Sequence, residues 1–207
     1  MKKIIYLFCL ICTITLAKGQ YYRPDRGFLP GINAGYFYPT GDMGKILKNG
    51  IGGNVSAKYL INKMIGIGFE AGYYGFKTKV NLNKDDVSQK YKYHLIPVLL
   101  EATFYVPTWN RTTLPYLGIQ FGGYFSQLDV GRQYTGYSAS LSFSPGVGLH
   151  GGLLFQLSDK VWMDLKVRAD YVPRIDDAYE YNEYTQGNIG FNKMLNIGGN
   201  IGLLYRF

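Results

Sequence analysis

The chain has 207 residues and a formal net charge of +8, with 27 glycines, 20 tyrosines, 12 phenylalanines and only 17% charged residues. Its positive charge is scattered rather than gathered on one face or helix, which excludes the usual nucleic-acid footprint. Helix-poor glycine together with strand-favouring tyrosine and phenylalanine points to one sizeable β domain.

Residues 1–19 read as a secretory signal peptide. Lys2 and Lys3 form the positive start, Ile4 to Leu16 the apolar run, and Ala17-Lys18-Gly19 the small-x-small cleavage site. That run is too short to span a bilayer as a helix. Cys9 and Cys12 are the only cysteines and leave with the signal, so the exported chain has neither disulfide nor thiol chemistry. Residues 20–28 then form a short periplasmic segment, and residues 29–207 the domain proper.

From there the apolar residues recur with a period of two, the mark of strands whose two faces differ. No stretch reaches 18 consecutive apolar residues, so a membrane-spanning helix is not expected. Strands are predicted over 29–38, 51–61, 64–76, 92–106, 114–128, 138–157, 160–173 and 189–207. The connections alternate: Pro39 to Gly50 long, Asn62-Lys63 tight, Lys77 to Tyr91 long, Pro107 to Thr113 shorter, Asp129 to Tyr137 medium, Ser158-Asp159 tight, Arg174 to Gly187 long. Short turns at one end and long loops at the other are the habit of an up-and-down membrane barrel; a soluble sandwich has no reason to alternate them.

The chemistry of the faces agrees. Around Val161–Tyr171, one face carries Val161, Met163, Leu165, Val167, Ala169 and Tyr171, the other Trp162, Asp164, Lys166, Arg168 and Asp170. Four charges on one strand face are ruinous in a dry soluble core but acceptable inside a barrel whose outside meets lipid. The same parity turns Lys58, Glu70, Glu101 and Arg206 inward, so the expected lumen network is Lys58, Glu70, Glu101, Asp164, Lys166, Arg168, Asp170 and Arg206, four charges of each sign. His150 is read as a hydrogen-bonded lumen residue. Phe37, Tyr74, Tyr116 and Tyr124 are further filler. Tyr36, Tyr38, Tyr59, Tyr73, Tyr91, Tyr93, Phe104, Phe125, Tyr171 and Tyr205 are expected in the interfacial girdles. Eight strands enclose a lumen just wide enough for their own side chains, so a conducting pore is not expected.

The segment Asn196–Phe207, NIGGNIGLLYRF, keeps the alternation to its final aromatic instead of fraying. Its polar-x-Gly-x-x-aromatic-x-aromatic pattern, on Asn200, Gly202, Tyr205 and Phe207, resembles the β-signal that the barrel-assembly machinery reads by strand pairing. GINAGYFYPTGDM (Gly31–Met43), LIPVLLEATFY and LPYLGIQFGG likewise resemble strands of the small outer-membrane β-barrel family of OmpA type. That resemblance covers the mature chain and implies an all-β fold, a transmembrane eight-stranded antiparallel barrel of the Gram-negative outer membrane with both termini periplasmic. It lends no catalytic residues.

Barrel enzymes leave motifs that this chain lacks. The deacylase pattern needs His-x-Ser, whereas His94 precedes Leu95-Ile96 and His150 precedes Gly151-Gly152. Without cysteine, histidine clusters or Gly-x-Ser-x-Gly, neither a metal nor a cofactor is expected. The expected partners are outer-membrane lipid and lipopolysaccharide, the assembly machinery and other outer-membrane proteins. The candidate contacts lie in two loops of opposite charge. Lys77, Lys79, Lys84, Lys90 and Lys92 face lipopolysaccharide phosphates, against only Asp85 and Asp86. Tyr179, Tyr181 and Tyr184 are interleaved with Asp176, Asp177, Glu180 and Glu183, an arrangement that suits a basic partner or a divalent ion. The functional expectation is a non-enzymatic structural or surface barrel with a plugged polar lumen. Its alternatives are an accessory subunit of a secretion or assembly machine and, last, a lipid-modifying enzyme or narrow channel.

Overall fold

The computed structural model describes residues 26–79, 92–106, 112–129, 141–173 and 193–207. Eight strands run Gly27–Thr40 (β1), Leu47–Leu60 (β2), Ile65–Thr78 (β3), Lys92–Tyr105 (β4), Thr113–Asp129 (β5), Ser142–Gln156 (β6), Val161–Val172 (β7) and Met194–Tyr205 (β8). Each pairs antiparallel with its sequence neighbour, and β1 also pairs with β8, from Gly31↔Leu204 to Thr40↔Leu195. The sheet therefore closes without an exposed edge, and its backbone donors and acceptors pair from strand to strand, apart from a register shift between Leu47 and Gly50 and a break in the β3–β4 pairs between Ala71 and Tyr74.

Alternation dictates the two surfaces. Ile32, Ile51, Leu117 and Val167 stand outward at 64–70% exposure, while inward neighbours such as Phe37, Lys58, Glu70 and Arg168 are at 0–1%. A water-soluble barrel has its apolar side chains within; this one is inverted.

Two expectations need correction. Pro39 to Gly50 is not a long loop: β1 continues to Thr40, a six-residue helix (Gly41–Ile46, α1) follows, and β2 begins at Leu47. Gly41, at φ +66°, makes the corner that a side chain would strain, and Met43 drops from α1 into the barrel mouth, fully buried. Tyr93 lies inside rather than in a girdle, at 2% exposure, because Glu101 and Tyr93 are eight residues apart on the continuous strand β4 and must share a face. The predicted starts of the sixth and eighth strands, 138–140 and 189–192, fall outside the described residues.

Candidate functional site

The lumen is layered. Near the tight turns sit Leu29, Leu60, Tyr105, Leu114, Tyr116, Leu154, Trp162 and Leu204; near the loops sit Phe37, Met43, Leu47, Tyr74, Phe76, Tyr93, Leu95, Leu99, Tyr124, Val172 and Met194. Along β7 the inward order is Trp162, Asp164, Lys166, Arg168, Asp170, Val172, so the charges fall between the two apolar layers. Glycines opposite the large rings make this packing possible. A methyl group at Gly198 would enter the Phe37 ring, and one at Gly52 would collide with Tyr74.

Seven of the eight predicted network residues meet in the middle layer, each at 0–3% exposure. Lys58 Nζ donates to Asp164 Oδ2 at 2.9 Å and lies 3.8 Å from Glu101 Oε1, with its ammonium over the Tyr116 ring at 4.9 Å. Tyr116 donates its hydroxyl to Asp164 Oδ1 at 2.5 Å. On the other side, Lys166 and Arg168 both donate to Glu70, and Arg168 forks onto Asp170 with Nη2–Oδ2 at 2.9 Å. Gln120 also donates to Asp170, and the Arg168 guanidinium rests 5.7 Å from the Phe37 ring centre. Bidentate, aromatic-backed contacts of this kind satisfy a buried guanidinium better than an ammonium could.

Arg206 is not among them. Parity turns it inward, but it follows the end of β8 and lies beyond the apolar layer of Leu29, Leu114, Leu154 and Trp162, in a cleft that Asn62 and Lys63 also line. The belt therefore holds three cationic side chains against four carboxylates rather than four of each. Glu101 is the carboxylate left over: it contacts Lys58 and His150 Nε2 only at 3.8 Å, and neither of its oxygens accepts a hydrogen bond.

His150 is buried against Thr103 Oγ1, 3.2 Å from Nε2. Hydroxyl, imidazole and carboxylate thus meet, but Thr103 and Glu101 share the same ring nitrogen while Nδ1 has no hydrogen-bond partner. A nucleophile–base–acid relay needs them on opposite nitrogens. Among the described residues no three His, Cys, Asp or Glu side chains converge as a metal set.

Parity also turns Asn54, Ser56 and Tyr74 inward, and Asn33, which the sequence reading did not single out, completes with them an amide seam beside the belt. Asn33 donates to Asn54 Oδ1 and to Ser56 Oγ at 3.2 Å, and Asn54 donates to Tyr74 at 2.8 Å. The even spacing from Leu29 through Asn33 to Phe37 was the available signal.

Of the residues resembling an assembly signal, Asn200 and Gly202 face the lumen, while Tyr205 and Phe207 face out, rings 5.0 Å apart. Of the predicted loop contacts, Lys77 and Lys92 are exposed register partners on β3 and β4, and Lys79 donates to the Gly44 carbonyl. Lys84, Lys90, Tyr179, Tyr181 and Tyr184 lie outside the described residues.

No protein-family model and no curated protein matches the chain. Solved structures do. The crystal structure of Neisserial surface protein A aligns with a TM-score of 0.60 at 21% identity, covering 87% of this chain and 97% of that one. The outer membrane protein OprG from Pseudomonas aeruginosa aligns with a TM-score of 0.53 at 15% identity, covering 92% and 99%. The chain shares the closed eight-stranded fold of these outer-membrane barrels.

Proposed function

We propose that this chain is a non-enzymatic integral outer-membrane barrel that works through its outer wall and loop end, with its lumen serving only as a structural plug. The inverted polarity carries this reading: an ion-paired interior, sealed by apolar layers at both ends, inside a wall of exposed aliphatic side chains. Such a wall of Ile, Leu, Val and Phe is untenable in water and required in hydrocarbon. Tyr36, Tyr38, Tyr73 and Tyr171, 40–55% exposed toward the loop end, suit the headgroup boundary, as Tyr59 and Tyr205 do toward the turn end. His150 and the belt carboxylates are buried among the described residues at 0–3% exposure, which argues against a substrate reaching them.

Two measurements test this. Refolded protein in a planar bilayer should give no steady ion conductance at moderate voltage, and sustained single-channel steps from the unmodified protein would defeat the plug. Single cysteines placed at Asp85, Tyr134 and Tyr181 in the signal-free chain should react with an impermeant maleimide in intact cells. Those at Asn62, Asn110 and Asp159 should react only after the outer membrane is breached. Labelling of Asn62 or Asp159 in intact cells would reverse the orientation, which places both termini in the periplasm.

A further inference from the structure

On the outer wall at the loop end, Lys77 of β3 and Lys92 of β4 are direct Cα partners, both pointing away from the lumen. Like charges placed directly opposite on adjacent strands repel. No ion pair to a described side chain engages either ammonium. One step toward the membrane on the same face, Gly75 pairs with His94, and a Cβ at Gly75 would have no atom nearer than 4.0 Å, so an open notch lies beside the imidazole. Tyr73 closes the notch below: its ring stacks on His94 at 5.3 Å, and its hydroxyl lies 2.6 Å from His94 Nδ1. Tyr73 occupies Nδ1 and leaves Nε2 as the ring nitrogen for a ligand, a donor in the tautomer that carries the proton there. Asp129 holds the register position beside Lys92 on β5, leaving the row net positive.

We infer that this notch binds a lipid-borne phosphate of the outer leaflet, the phosphorylated glycolipid headgroup of lipopolysaccharide, between Lys77, Lys92 and His94 Nε2–H. The inference rests on the outer-membrane reading above and deepens it. Lys77, Lys92 and His94 stand at adjacent positions of one outward face where two lysines otherwise oppose each other, level with exposed Ile51 and Tyr36 and above exposed Phe69, so the occupant has its charge at the rim and its chains against the apolar wall. A free anion would gain only the first of these contacts.

The test uses full-length mature protein refolded in mixed micelles, with bis-phosphorylated lipid A as probe and native mass spectrometry or equilibrium titration as readout. Lys77→Gln/Lys92→Gln should weaken lipid A binding about tenfold at low salt, and Lys77→Arg/Lys92→Arg should retain it. Gly75→Leu, which fills the notch without altering charge, should weaken it as well. Dephosphorylated lipid A should bind wild type no better than the Gln variant. Undiminished binding by the Gln variant at low salt overturns the site. Inorganic phosphate displacing lipid A at equal concentration overturns the lipid assignment in favour of a simple anion site. Failure of the outer-membrane reading itself would look different, because the unheated protein would then show no compact, heat-modifiable species in any of these micelles.

Discussion

Arg168→Leu should lower the unfolding temperature of the barrel sharply, measured as the temperature at which the compact band disappears on a heat-modifiability gel. Arg168 is fully buried and holds Asp170 through its fork and Glu70 through Nη1. Its loss leaves Asp170 with Gln120 alone, and breaking a buried ion pair from one side costs about 3–5 kcal/mol. Removing the orphaned partner as well, in Arg168→Leu/Asp170→Leu, should recover a large part of that loss, because the penalty belongs to the unpaired charge and not to the missing contact. Glu101→Gln should behave in the opposite way. Glu101 accepts no hydrogen bond and is the fourth carboxylate over three cations, so the amide should cost less than about 1 kcal/mol or stabilise. Equal destabilisation by Glu101→Gln and Arg168→Leu would show that the belt has no such asymmetry.

Phe207→Ala should act on assembly while leaving the folded barrel nearly unchanged. The Phe207 ring is 77% exposed, touching Phe28 at 6.3 Å and Tyr205 at 5.0 Å, and its backbone N–H donates to the Phe28 carbonyl at 3.1 Å, a bond that alanine keeps. Losing an exposed ring usually changes stability by only about 0.5 kcal/mol, so urea-unfolded protein should refold into detergent with an unaltered midpoint. In cells the expectation differs. If the strand ending is read by pairing during insertion, its outward aromatics are the anchors, and truncating such an anchor costs roughly tenfold or more in recognition. The amount of heat-modifiable protein in outer-membrane fractions should fall accordingly, with Tyr205→Ala behaving alike. Normal insertion of both variants would mean that these residues serve the fold alone, whereas a parallel loss of in vitro refolding would make their role structural.

Much of this architecture was legible because strand alternation is local: a residue's face follows from its parity with its neighbours, whatever the rest of the chain does. Parity alone turns Lys58, Glu70, Glu101, Asp164, Lys166, Arg168 and Asp170 inward, and all seven are buried there. Tyr93 differs from its girdle expectation because it shares Glu101's parity along β4 and so faces the lumen. Arg206 went wrong for a different reason: parity sets the face but not the height, and β8 has already reached the apolar layer at Leu204.

The sequence by itself determined an inverted polarity and eight strands, since period-two patterning and turn residues act over a few neighbours. Only the tertiary structure decided who meets whom. Lys58 finds Asp164 across 106 residues and Arg168 finds Glu70 across 98, because closure of β1 on β8 and the register of every strand between set which side chains share a level of the lumen. The same registers put Lys77 opposite Lys92 and left Glu101 without a full partner. Register is the sum of eight pairings, and no short stretch of the chain contains it.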